Sequence, residues 1–122
     1  MNILLFSDIP PCSNYSAGIV LMQECEFLLE QGHQVNCFAV VDALVKPEIP
    51  DRLKKSMKFK RVAKPQEDWG GGWRSRLMNG AMARRLPMIT REAAEFAKET
   101  ETELLWIVEQ GQSIILQARP LA

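Results

Sequence analysis

The stretch NILLFSDIPPCSNYSAGIVLMQECEFLLEQGHQVNCFAV, Asn2 to Val40, decides the fold. It opens on an apolar run, Asn2 to Ser7, closed by Ser7-Asp8 and then Pro10-Pro11. A run without alternation that ends on turn residues fits a strand covered on both faces. Asp8 to Ala17 reads as a loop, because two prolines with Ser13, Asn14 and Ser16 favour irregular backbone. From Gly18 to Gln31, Leu21, Met22, Cys25, Leu28 and Leu29 recur at spacings of three and four, with Gln23, Glu26 and Glu30 on the other side. That spacing predicts an amphipathic helix with one buried stripe. Gly32 is placed to end it, since glycine accepts the left-handed backbone of a helix C-terminus. Gln34 to Val41 then reads as a second strand, with Val35, Cys37, Ala39 and Val41 alternating. Strand, loop, helix, tight turn and strand make one βαβ unit, with parallel strands and a right-handed crossover.

Beyond this unit the pattern loosens. Pro47 and Pro50 mark a loop, and Met57 to Ala63 is expected as a short edge strand. Pro65 to Trp73, with Gly70-Gly71-Gly72 between Trp69 and Trp73, reads as a surface loop, and Arg74 to Leu86 as a helix despite Gly80. Thr90 is expected to cap a helix through Thr100 that turns Ala93, Phe96 and Ala97 inward and Arg91, Glu95 and Lys98 outward. Leu104 to Val108 is the next strand, Gly111 a turn, and Ser113 the cap of a helix through Ile114, Ile115 and Leu116 that Pro120 shortens or kinks. The expected architecture is α/β: a Rossmann-like three-layer α/β/α domain with a mainly parallel sheet of about four strands, the first between the second and the last. Residues 1–122 form one domain in this reading. The final helix has little after it to pack on, so the chain is expected to be part of a longer one.

Composition narrows the function classes. The 122 residues are 47% apolar and 25% charged, ordinary for a globular domain, and the formal net charge is zero. No global field draws such a chain to nucleic acid. The zero conceals an asymmetry. Arg52, Lys54, Lys55, Lys58, Lys60, Arg61 and Lys64 run without an acid among them, whereas Glu92, Glu95, Glu99, Glu101, Glu103 and Glu109 dominate a later stretch. Two solvated faces explain this, and peripheral contact of the basic stretch with anionic lipid is the sharper alternative. Cys12, Cys25 and Cys37 have no CxxC spacing, which argues against a disulfide framework or a zinc site and fits a reducing, cytoplasmic compartment. MNILLFSD is too short an apolar run for a signal peptide, and Asp8 interrupts it.

Chemistry is expected beyond the carboxyl ends of the parallel strands, where ligands bind in open sheets. Ser16, Ala17 and Gly18 stand at the first helix start, whose unpaired N–H groups suit phosphate or sugar oxygens, and their small size admits a ligand to the backbone. The plain alternative is that they merely start the helix. Glu109, Gln110, Gly111, Gln112 and Ser113 follow the last strand on the same edge, where Glu109 can act as a base and Gln110 and Gln112 can bond sugar hydroxyls; a capped turn is the plain alternative. Substrate binding is therefore assigned to Ser16, Ala17, Gly18, Gln110, Gly111 and Gln112, with no metal, no cofactor and no assigned catalytic residue. Gly18→Val is expected to obstruct the ligand and spare the core. His33 belongs to the turn at the far end of the sheet and reads as a surface residue. Cys12 reads as accessible, yet no histidine lies near it in sequence to activate a nucleophile. GxGxxG and GxxxxGK[ST] are both absent.

These residues resemble the opening of GT-B glycosyltransferases of the retaining, nucleotide-sugar-using type. The likeness is carried by Ser7-Asp8 with Pro10-Pro11, by Ala17-Gly18 and by Gly32-His33-Gln34-Val35, and again by LLWIVEQGQSIILQARPLA. It spans roughly residues 1–41 and 104–122. It implies an acceptor-side N-terminal domain that binds a hydroxyl-bearing acceptor and closes over a nucleotide-sugar held by a C-terminal donor-binding domain. That donor domain, with its glutamate-rich motif, is not within these 122 residues, so the chain alone is expected to transfer little or no sugar and to self-associate or lean on its partner domain. The family's paired glycines reduce here to Gly18 after Ala17, and 107–110 holds no histidine to carry over as catalytic. A competing likeness joins the tail ILQARP to the end of the nucleotide-binding domain in phosphoenolpyruvate synthase-like enzymes. Outside both families, the alternative is a non-catalytic Rossmann-like binding or interaction module for a small anion.

Overall fold

The computed structural model describes residues 1–63 and 87–108. The elements are β1 (Asn2–Ser7), α1 (Ser16–Glu30), β2 (Gln34–Val41), α2 (Asp51–Ser56), β3 (Phe59–Ala63), α3 (87–99) and β4 (Leu104–Val108). The strands form one sheet in the order β3-β2-β1-β4, and every pairing is parallel. β1 therefore lies between β2 and β4, as its apolar run requires: Leu5 stands opposite Cys37 on one side and Trp106 on the other.

Both faces of β1 and β2 are buried. Ile3 and Leu5 of β1, with Val35, Cys37, Ala39 and Val41 of β2, pack against Leu21 and Cys25 of α1 and against Leu53 and Met57. Leu4 and Phe6, with Phe38 and Val40, form a second cluster with Ile89, Ala93 and Phe96 of α3. Phe6 and Phe38, neighbours in the β1–β2 register, stack with ring centroids 5.6 Å apart, and Phe96 tilts onto Phe38 at 6.2 Å. The alternation expected of β2 is therefore not found: Phe38 and Val40 are buried on one face as Val35, Cys37, Ala39 and Val41 are on the other. Asn36 is buried too, and its side-chain carbonyl accepts the Lys58 N–H at 3.0 Å.

α1 begins two residues before the expected start. Tyr15 is its extended N-cap and makes no side-chain capping bond. Gly18, Leu21 and Cys25 are its buried residues. Its end follows the Schellman pattern: Gly32 adopts φ +87°, its N–H donates to Leu29 O, and the His33 N–H donates to Leu28 O, both at 3.1 Å. α3 ends the same way, with Glu101 at φ 52° in the position that favours glycine. Glu101 N–H donates to Lys98 O and Thr102 N–H to Ala97 O.

Two expectations are corrected. Residues 87–90 are already helical, so Thr90 is an internal residue of α3 and not its cap. The stretch after Pro50 is not all loop. Asp51–Ser56 turns once into α2, with Leu53 and Met57 driven into the α1-side cluster and Lys54 and Lys55 in the last turn, where cations suit the helix dipole. Arg52 pairs with Glu26 of α1 at 2.6 Å, so it is not part of a free basic face. β3 is the edge strand expected there, and its exposed Lys60 and Arg61 are of the kind that keeps sheet edges from pairing. The expected loop 65–73, helix 74–86 and final helix from Ser113 lie outside the described residues. Among the described residues, no helix is long and apolar enough to cross a membrane.

Candidate functional site

At the carboxyl edge of the sheet, two loops enclose a hollow of about 290 Å³. One wall comes from the chain after β1: Asp8, Ile9 and Tyr15, continuing into Ser16 and Ala17 at the start of α1. The other comes from the chain after β2, through Asp42 and Val45. Asp8 and Asp42 are each the first residue past their strand.

The first wall is built like core. Ile9, Pro10, Pro11 and Cys12 are buried. The Ser7 hydroxyl donates to Ile9 O at 2.7 Å and accepts the Ile9 N–H at 3.1 Å, which folds the chain back as it leaves β1. The Cys12 N–H donates to Gly18 O at 3.1 Å. A Cβ on Gly18 would overlap Cys12 Sγ and approach Cys12 N and Pro10 O to 3.2 Å. Gly18 is small because the loop lies against it, and the expectation that valine there spares the core is corrected. Cys12 is likewise buried rather than accessible, and burial pushes its thiol up, against a smaller lowering by backbone bonds at Tyr15 and Asn14. A protonated, enclosed thiol is a poor nucleophile.

The second wall hangs on the first through side chains. Asn14 Nδ2 donates to Lys46 O, and Asn14 Oδ1 accepts the Glu48 N–H, both at 2.8 Å. The Tyr15 hydroxyl accepts the Lys46 N–H at 3.2 Å, and Ser13 donates to Glu48 O from its backbone at 2.9 Å. Asp42 makes its own turn by accepting the Leu44 N–H at 2.9 Å.

The hollow therefore combines the first turn of α1, which has no acidic residue, with two carboxylates and the Ser16 and Tyr15 hydroxyls. Among the described residues no Lys or Arg lines it. Helix N–H groups attract acceptor oxygens, and carboxylate oxygens, each with more than one lone pair, can accept further donors. A ligand carrying hydroxyls, which both donate and accept, suits the two together. A phosphate would meet both carboxylates in the same hollow.

Of the residues assigned from sequence, Ser16 and Ala17 line this hollow, while Gly18 is buried behind it. Gln110, Gly111 and Gln112 lie outside the described residues. The parallel register of Ser7 with Val108 does bring the chain out of β4 at the same edge. His33 precedes β2, whose first residue Gln34 stands opposite Asn2, so it lies at the other end of the sheet; it is half-buried, with Nδ1 shielded. A second hollow, about 400 Å³, opens at that opposite end among Asn2, Gln34, Asn36, Lys54, Lys58, Glu99 and Glu101. The C-terminal ends of α2 and α3 border it, and its lining mixes Lys54, Lys55 and Lys58 with Glu99 and Glu101. Asp8, Asp42, Tyr15 and Val45 escaped the sequence reading. The available signal was position, since an Asp directly follows each of the first two strands. Among the described residues, no group of His, Cys, Asp or Glu is arranged to hold a metal ion. Comparison of the chain with protein-family models, with curated proteins and with solved structures finds no match.

Proposed function

We propose that this chain is the acceptor-side domain of a GT-B glycosyltransferase, a three-layer α/β/α half that holds a hydroxyl-bearing acceptor in the hollow between β1, β2 and α1. The observation that carries the reading is the pairing of Asp8 and Asp42 with the start of α1 around one small pocket at the carboxyl edge of a parallel sheet. Carboxylates at such a place accept hydrogen bonds from sugar hydroxyls, each contributing on the order of 1–3 kcal/mol to a charged acceptor. Transfer would need a nucleotide-sugar presented by a donor-binding domain supplied in addition to these 122 residues, so by this reading the chain by itself binds acceptor and transfers little or no sugar. Three free, buried thiols fit a reducing, cytoplasmic setting for it. The module for a small anion is the weaker reading, because the two carboxylates oppose an anion at the same helix end.

The test is a titration of the chain, followed by amide shifts around residues 8–17 and 42–46, with neutral monosaccharides in one arm and inorganic phosphate in the other. Neutral sugars are expected to shift these amides, and Asp42→Asn is expected to weaken them by several-fold. Binding of phosphate that tightens in Asp42→Asn would transfer the site to the anion module. No response to either probe would remove the acceptor reading.

A further inference from the structure

We draw no further inference here: the strongest candidate, the apolar hollow between α1 and the edge strand β4 lined by Phe27, Leu28 and Trp106, is an unpartnered face, and nothing in the structure shows what covers it.

Discussion

The two loops around the pocket have opposite construction. The loop after β1 turns Ile9, Pro10, Pro11 and Cys12 inward and packs against Gly18 of α1. The loop after β2 is largely solvent-facing, with Leu44 83% exposed, and it takes its place by hydrogen bonds to Asn14, Tyr15 and Ser13. One wall is held mainly by packing, which forgives nothing in volume. The other adds to the packing of Val45 and Ile49 on the core a set of polar bonds, which can be removed singly at modest cost. The rigid wall therefore presents the start of α1 at fixed geometry, and the clamped wall is the part that can adapt to a ligand.

The largest effect that would test this contrast is at Gly18. Gly18→Val is expected to destabilise the fold by about 3 kcal/mol or more, because overpacking a tight site forces backbone and side chains aside. Gly18→Ala should cost less, and part of that loss should return in Gly18→Ala combined with Cys12→Ala, which removes the overlapping sulfur. Urea unfolding of the parent chain, Gly18→Val, the two single alanine variants and the double variant measures this. Strict additivity of the two alanine changes would mean that Cys12 does not fill the space beside Gly18.

The thiols give a pH handle on the packed side. Burial raises Cys12, pushes Cys25 up to about 12 and holds Cys37 well above its ordinary value. A raised thiol keeps its proton in the folded chain while the unfolded chain loses it. Stability from these groups is full below about pH 9 and falls as pH rises from there toward the folded values. Unfolding free energies at pH 7.5 and 10.5 should differ, and Cys25→Ala should narrow the gap. An unchanged gap in that variant would mean that Cys25 does not carry the alkaline loss and would leave it to Cys12 and Cys37.

Asn14→Ala is the next step down. It removes the bonds to Lys46 O and from the Glu48 N–H, at about 1 kcal/mol each. Tyr15→Phe removes one acceptor, from the Lys46 N–H, at roughly 1 kcal/mol or less. Both variants should free residues 42–48 to faster amide exchange while the 8–15 loop keeps its protection. Equal loosening of both loops would mean that the two walls form one cooperative unit.

The same contrast explains what could be read in the sequence. β1, α1, β2 and β4 were legible because each is a local pattern: an apolar run, a three-four stripe ended by Gly32, a run in which every second residue is apolar, and LLWIV. The six residues of α2 are too few to show a period, and Pro47 and Pro50 argued for loop; only Leu53 and Met57, four apart and both buried, betray the turn of helix. Thr90 looked like a cap because its hydroxyl suits one, but packing of Ile89 into the second cluster carries the helix through it. At the site, Ser16 and Ala17 were legible from local order. Asp42 was not, because only the β1–β2 pairing brings it beside residues some 30 positions earlier in the chain. The role of Gly18 is hidden for the same reason: smallness is visible in a sequence, but whether it serves a ligand or a folded-back loop depends on where Cys12 lies.

The smallest expected effect is at the tip of the second loop. Leu44 is a large apolar side chain with 83% of its surface exposed, and it joins neither buried cluster. Its backbone N–H is bound by Asp42, which any residue but proline at this position allows. Leu44→Ser removes almost no buried surface, so stability should change by less than about 0.5 kcal/mol, the usual range for a surface site. The same variant discriminates between two states of the loop. If the loop stays as it stands, neutral-sugar binding in the pocket is unchanged, since Leu44 does not line it. If residues 42–48 swing inward over a bound acceptor, Leu44 meets apolar surface, and its loss weakens binding without touching stability. Urea unfolding and sugar titration of the one variant, side by side, separate a fixed wall from a closing one.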